Sequence, residues 1–384
     1  MGEDSALQEV SLLGTGDCGP TLGPKDGYPI ERYTELVKPT LQSVDLRFGN
    51  CERQYSARKG EATGPGMIYP HGCQPPEMAQ IFTDCGFDAL TIANNHMYDF
   101  GPGALLDTRA LLQEKGIAVT GAGKDLAEAR LPAIVECKGV KVGFLGYNSI
   151  IEFGGEAGIA GVNRPGVAPL RVKTYLEARG PHASPRVWTE PHEGDLAMMV
   201  EDVKALRKRV DAVIVAFHWG SDWIPRVVSD YQVTTAHACI DAGADMIHGN
   251  HPHVPKGIEV YKGKAIFYCM GSLVMNNQTG PQPAWREPAW AHGALRNYTD
   301  LDPAYPLMPY GKNTNKSILV KAILTRSGVK RVSFLPLLID SLYRPEVLHQ
   351  GDKRFDEVVQ FMDWSSEDFN HKFTVEGDEV VVDG

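Results

Sequence analysis

The residues with the clearest chemical potential in this chain are two histidines one proline apart, in the run Gly249-Asn250-His251-Pro252-His253. Neutral imidazole is a ligand of zinc, iron and other transition ions. Pro252 biases His251 towards extended backbone, where residues two apart point to the same side, so both rings are expected to face one point. Four more ligand-type residues recur in a matching setting, since Asp17, Glu52, Asn95 and His218 each follow a short apolar run. Two carboxylates, one amide oxygen and three imidazoles suit a pair of divalent ions, with manganese, iron or zinc favoured over magnesium by the nitrogen content. Two such ions about 3.5–4 Å apart share a hydroxide, lowering the pKa of its parent water and clamping the attacked group from both sides. His96, beside Asn95, is placed to stabilise developing charge or protonate a leaving group, with Asp99 orienting it.

The elements that must position these side chains can be read from apolar periodicity. Residues 10–13 form a run ending in Gly14-Thr15-Gly16-Asp17; residues 44–48 alternate and deliver Gly49-Asn50-Cys51-Glu52; residues 89–93 end in Asn94-Asn95-His96. A helix is predicted over 102–115, with proline near its start and Gly116 past its end. Leu196, Met199, Val200, Val203, Leu206 and Val210 mark another helical face, and residues 211–217 then read as a strand buried on both sides, ending in His218-Trp219-Gly220. A helix over 231–242 stops at Gly243, before the short strand that precedes the histidine pair. Further helices are expected over 30–37 and 355–362, and hairpins over 258–268 and 318–337. Strands alternating with helices indicate an α/β fold with a mostly parallel sheet, whose strand ends lie along one edge and gather the six candidate ligands. His237, in mid-helix, is expected to be a core histidine with a backbone partner, and His248 to lie just behind the ligands.

Residues 1–340 are expected to form a single domain with insertions near 53–76, 151–195 and 279–313, followed by a peripheral C-terminal helix and tail over 341–384. Arg53, Arg58 and His71 in the first insertion, and Trp219 and Trp285 elsewhere, are candidate contacts to an anionic substrate of small or oligomeric size, with the aromatic-rich third insertion expected to fold over the pocket mouth. The chain of 384 residues carries 48 acidic and 38 basic residues, a formal charge of −10, without long basic runs. Nucleic acid is therefore not an expected partner. No apolar run is long enough for a membrane helix and the polar amino terminus shows no secretory signal, so the expected location is cytoplasmic. Seven cysteines without C-x-x-C pairs give neither a disulfide framework nor a structural zinc pattern. Oligomeric state, including a homo-oligomer, is left open by the sequence.

The succession Gly16-Asp17, Asn50-Cys51-Glu52, Ala93 to Gly101 (ANNHMYDFG), Gly121-Ala122-Gly123, His218-Trp219-Gly220, His251-Pro252-His253 and Gly271-Ser272 resembles the CapA/PgsA family. That family is named for poly-γ-glutamate capsule synthesis and is related to calcineurin-like metallophosphoesterases. The resemblance, running from about residue 10 to 275, implies a four-layer α/β/β/α sandwich of two mixed sheets with a dinuclear metal centre. It further implies that Asp17 and His253 hold one ion, that Asn95, His218 and His251 hold the other, and that Glu52 bridges them. One departure is that metallophosphoesterases open on D-x-H, whereas Asp17 is followed by Cys18 and Gly19. The function expected is a metal-dependent hydrolase acting on a γ-glutamyl-like amide, ester or phosphoester. The alternative is a non-catalytic component that binds poly-γ-glutamate or its synthase.

Overall fold

The computed structural model describes residues 8–58, 73–151, 155–275 and 312–384, and within them the chain builds two large mixed sheets. β1 (Val10–Gly19), β2 (Leu46–Cys51), β3 (Ala89–Thr91) and β4 (Ala118–Thr120) lie parallel, side by side. The second sheet has six strands: β5 (Ala133–Cys137), β6 (Val140–Asn148), β7 (Ala212–His218), β8 (Met246–Asn250), β9 (Ile258–Tyr261) and β10 (Lys264–Phe267). Its order is β9-β10-β8-β7-β6-β5, parallel in the centre and antiparallel at both edges. The chain then returns to the first sheet. β11 (Ser272–Met275) runs parallel to β1, and β12 (Lys316–Thr325), β13 (Gly328–Ile339), β14 (Pro345–Val347), β15 (Lys372–Glu376) and β16 (Glu379–Asp383) extend the sheet with antiparallel pairings.

Side-chain alternation decides what each face meets. Leu12 and Phe48 of the first sheet share one buried cluster with Phe144 and Ile214 of the second, and the Phe48 and Phe144 rings stack with centroids 4.3 Å apart. The opposite face of the first sheet, through Leu13 and Leu90, is packed by α1 (Gln80–Cys85) and α2 (Gly101–Glu114). Val213, Val215 and Phe217 of β7 point away from the first sheet, against α3 (Glu193–Arg207) and α4 (Asp230–Ala242). α4 starts on a reciprocal cap between Ser229 and Gln232 and ends at Gly243, whose φ of +113° a side chain would disfavour.

Three expectations are corrected. The helix read over 30–37 is a 3-10 turn, Ile30–Tyr33, followed by the short helix Lys38–Gln42. The insertion at 151–195 contains an exposed antiparallel hairpin, Val172–Glu177 with Arg186–Pro191. The C-terminal segment is not peripheral: α5 (Lys353–Ser366) buries Phe355, Val358 and Met362 beside Phe334, Val380 and Val382 in the cluster between the sheets. Its acidic composition masks an apolar stripe at helical spacing, followed by the alternating valines of β16. Truncating Phe355 to alanine is therefore expected to destabilise the protein by about 3 kcal/mol or more in denaturant unfolding, as for other buried aromatics; a loss below about 1 kcal/mol would mean that the helix is only loosely attached.

Candidate metal centre

The candidate ligands reach one place from two sheets rather than from one sheet edge. Asp17, Glu52 and Asn95 arrive from β1 and the segments following β2 and β3, and His218, His251 and His253 from the carboxyl ends of β7 and β8. Asp17 lies inside β1, where the register slips between Gly14 and Asp17 towards β2 and between Asp17 and Cys18 towards β11. Such an irregularity re-aims a strand side chain. Close approach makes it possible, because a Cβ on Gly16 would fall 2.0 Å from the Gly271 carbonyl oxygen.

The two histidines do not occupy extended backbone. His251 has φ +99° and His253 φ +53°, a left-handed region that costs a side-chain-bearing residue on the order of 1–3 kcal/mol. The turn is held from within, since the His251 amide donates to Asp17 Oδ2 at 2.9 Å. Asp17 Oδ1 accepts from Asn50 Nδ2 at 2.7 Å, and Asn50 in turn accepts from Asn94 Nδ2 at 3.1 Å. Asn94 also caps the 3-10 turn that carries Asn95 and His96.

All six predicted ligands are buried and close together. His218 Nε2 lies 2.9 Å from Asn95 Oδ1, 3.1 Å from His251 Nδ1 and 3.7 Å from Glu52 Oε1. His253 Nδ1 is 3.4 Å from Asp17 Oδ2 and 3.2 Å from Ser272 Oγ, and its Nε2 is 3.5 Å from Glu52 Oε1. Glu52 thus stands between His253 with Asp17 on one side and His218 with Asn95 and His251 on the other. Among the described residues, neither of its buried carboxylate oxygens has a hydrogen-bond partner. Ligand atoms of Asp17, Glu52 and His218 lie within 4.8 Å of one another. An orphaned carboxylate among lone-pair nitrogens is the donor set that a divalent transition ion satisfies.

Burial governs the protonation of these groups. It pushes Asp17 up to about 6, against the hydrogen bonds from Asn50 and His251. Glu52 is raised well above the usual carboxylate range, first by burial and then by the Asp17 charge. His218 is driven well below the ordinary histidine value and His253 down to about 3, both chiefly by burial. His218 and His253 are therefore neutral and ready to coordinate, whereas burial favours the protonated form of both carboxylates.

His96 and Asp99 adjoin the cluster, with His96 Nδ1 2.9 Å from Asp99 Oδ2, and burial lowers the proton affinity of His96 despite this partner. Arg53 is buried beside Glu52, its Nε without a partner among the described residues and its Nη1 3.4 Å from the Glu52 carbonyl oxygen. Arg58 points elsewhere, paired with Asp107 through Nε at 2.6 Å and Nη2 at 3.1 Å. Trp219 is fully buried, stacked on Phe217 with centroids 4.2 Å apart and bonded to the Tyr268 carbonyl, so it is a core residue with no face for a substrate. His71, Trp285 and most of the third insertion fall outside the described residues. His237 bonds to Glu259 Oε1 at 2.8 Å and stacks on Tyr261, a carboxylate partner where a backbone one was expected. His248 is fully buried, edge-on to Phe48 with its Nδ1 3.2 Å from Asn250 Nδ2.

Two participants escaped the sequence reading as site residues. Asn50 orients Asp17, a role that its place two residues before Glu52 hints at. Asp222, in the irregular loop after β7, lies with Oδ1 2.8 Å from His251 Nε2. Burial opposes ionisation of Asp222, yet the facing His251 holds its pKa below the usual value. Beside the cluster, Asn94, Asn95, Tyr98, Asn148, Ile150 and Val167 help to line a small cleft with room for about one water molecule.

Ligation requires ionised carboxylates and neutral imidazoles, so the sign of its pH dependence follows from the shifts above. Mn²⁺ affinity, measured by titration calorimetry, is expected to weaken as pH falls through about 6, the value for Asp17. Uptake at pH 7 should release protons, and Glu52→Gln should both reduce that release and raise the unfolding temperature of the metal-free protein. Affinity that stays flat between pH 7.5 and 5 would contradict the assignment.

Comparison with known proteins places this geometry in context. The chain is 30% identical over 243 residues to the PGA biosynthesis protein CapA of Bacillus subtilis, covering 63% of this chain and 56% of that protein. It is 37% identical over 201 residues to a probable polyglutamine synthesis accessory protein of Mycobacterium tuberculosis, covering 52% and 48%, and 28% identical over 240 residues to the capsule biosynthesis protein CapA of Bacillus anthracis, covering 62% and 53%. The chain thus spans about half the length of the curated relatives it matches. The family model described as bacterial capsule synthesis protein PGA_cap matches residues 8–277, a stretch that holds every ligand candidate, and the chain belongs to that family.

Proposed function

We propose that the cluster binds two divalent transition ions, manganese, zinc or iron, and that the chain is a metal-dependent hydrolase acting on an anionic substrate. The observation that carries this reading is Glu52, an ionisable side chain buried between His253 on one side and His218 on the other, with both oxygens unpartnered among the described residues. Without cations such an arrangement costs several kcal/mol and returns nothing. The two sheets with helices on their outer faces correspond, on this reading, to the four-layer metallophosphoesterase sandwich. When bound, the ions supply a water that is nucleophilic near neutral pH and a clamp on the group under attack.

The chain's own residues provide the rest. Asp99 accepts the hydrogen bond of the His96 Nδ1 proton, which leaves the lone pair on Nε2. His96 therefore begins as a proton acceptor and becomes an acid for the leaving group only after taking a proton up. Arg53, a buried cation without a carboxylate partner among the described residues, attracts an anionic substrate group to the same place. A γ-glutamyl amide is the bond that best combines these features with the synthesis roles in the relatives' names; esters and phosphoesters fit the same metal chemistry.

A second reading is favoured by the word accessory in a relative's name: the site binds poly-γ-glutamate without cutting it. Metal analysis of the purified protein and a screen of γ-glutamyl peptides, phosphoesters and small amides with added Mn²⁺ or Zn²⁺ separate the two. About two ions per chain with turnover supports hydrolysis, and polymer binding without turnover supports the accessory role. His251→Ala is expected to lower metal affinity at least about 10–100-fold and to abolish turnover while the circular dichroism spectrum is retained; unaltered metal uptake would exclude His251 as a ligand.

A further inference from the structure

The loop between β7 and α4, which carries Asp222, is irregular and conformationally unfavourable, yet it is tied down at several points. Trp223 and Arg226 both adopt positive φ, +54° and +65°. The Trp223 amide donates to the Pro252 carbonyl at 3.0 Å, joining this loop to the turn between the two ligand histidines. Lys256, three residues beyond His253, is buried, and its Nζ donates to the carbonyl oxygens of Ile224 and, at 3.0 Å, Val227. No carboxylate among the described residues pairs with it. A buried ammonium that meets only main-chain carbonyls is costly, and burial lowers its pKa to about 8. Packing alone would be better served by leucine or methionine. At the far side of the loop, Arg226 reaches the residues just past α5, placing Nε and Nη2 at 3.0 and 2.9 Å from Asp368 and Nη1 at 2.6 Å from Glu367.

We infer that Lys256 and Arg226 are positioning residues that strap this loop so that Asp222 grips His251 through Nε2 and turns its Nδ1 lone pair towards the metal cluster. The ring is held between two close contacts: His251 Nε2 lies 2.8 Å from Asp222 Oδ1, within ion-pair distance, while Nδ1 lies 3.1 Å from His218 Nε2, inside the candidate ligand set. A carboxylate behind a ligating histidine fixes its ring and tautomer and raises its basicity. The strap also connects the site to the C-terminal helix, which lies beyond the family-matched residues 8–277. Arg226 acts at the surface, so its ion pairs contribute less than the buried lysine. The inference rests on the reading of His251 as a ligand, and it extends that reading to residues that touch neither ion nor substrate.

The test is a double-variant cycle on the full chain, with Lys256→Met, Asp222→Asn and their combination, read in two ways. In metal-free protein with ¹⁵N-labelled histidine, NMR should place the His251 proton on Nε2 in the wild type and show a mixture of tautomers in each variant. Calorimetric titration with Mn²⁺ should show affinity falling about 10–100-fold in either single variant and no further in the double one, since both remove the same support. Should Lys256→Met fail to fold, Arg226→Gln takes its place, with an expected loss of about 2–10-fold that vanishes in the Asp222→Asn background. An unchanged tautomer in the strap variants, or losses that simply add, would overturn the inference. Wild-type protein that keeps the Nε2 proton but takes up no Mn²⁺ would instead defeat the metal reading and leave the strap intact.

Discussion

Crowding of Asp17, Glu52 and three imidazoles into a dry interior is the condition to which the surrounding structure answers. Buried charge without a counter-charge is among the most expensive features a protein can keep. Here the expense is visible in the elevated proton affinity of both carboxylates and the depressed affinity of His218 and His253. Divalent cations bound here would reverse these penalties together, taking the lone pairs of neutral imidazoles and stabilising the ionised carboxylates.

Holding such a cluster requires rigidity that a single strand end does not give. The two sheets meet through an apolar layer that includes the Phe48 and Phe144 stack, which fixes the distance between ligands arriving from each side. The slipped register at Asp17 and the left-handed turns at His251 and His253 are local departures from ideal backbone, and they are bonded to one another through the His251 amide and Asp17. Strain of this kind persists only where neighbouring structure over-determines it, and it gathers at functional sites. Around the candidate ligands and His96 lies a ring of contacting groups, Asn50 on Asp17, Asp222 on His251, Ser272 on His253 and Asp99 on His96.

Much of this was legible in the sequence because it is written in short-range pattern. Apolar runs ending in ligand-type residues pointed to β1, β2, β3, β7 and β8, and the family resemblance, carried by the same motifs, agrees with the match over residues 8–277. Long-range features were not legible. Nothing in the periodicity says that β7 and β8 belong to a different sheet from β1 to β3, since pairing partners are chosen by packing. The expected extended backbone at His251-Pro252-His253 followed from proline's local preference, and the hydrogen bond from the His251 amide to Asp17, 234 residues away, overrode it. Trp219 is expected from the sequence to be a substrate contact, but strand alternation turns it away from His218 and into the core. Asp222 sits in a loop with no pattern at all, and only its contact with His251 reveals it.

The most direct test is anomalous diffraction from crystals grown with Mn²⁺. The account predicts two anomalous peaks about 3.5–4 Å apart on either side of the Glu52 carboxylate, one nearest Asp17 and His253 and the other nearest Asn95, His218 and His251. Absence of anomalous signal in that cluster at saturating manganese, or a peak bound elsewhere with Glu52 left untouched, would contradict it.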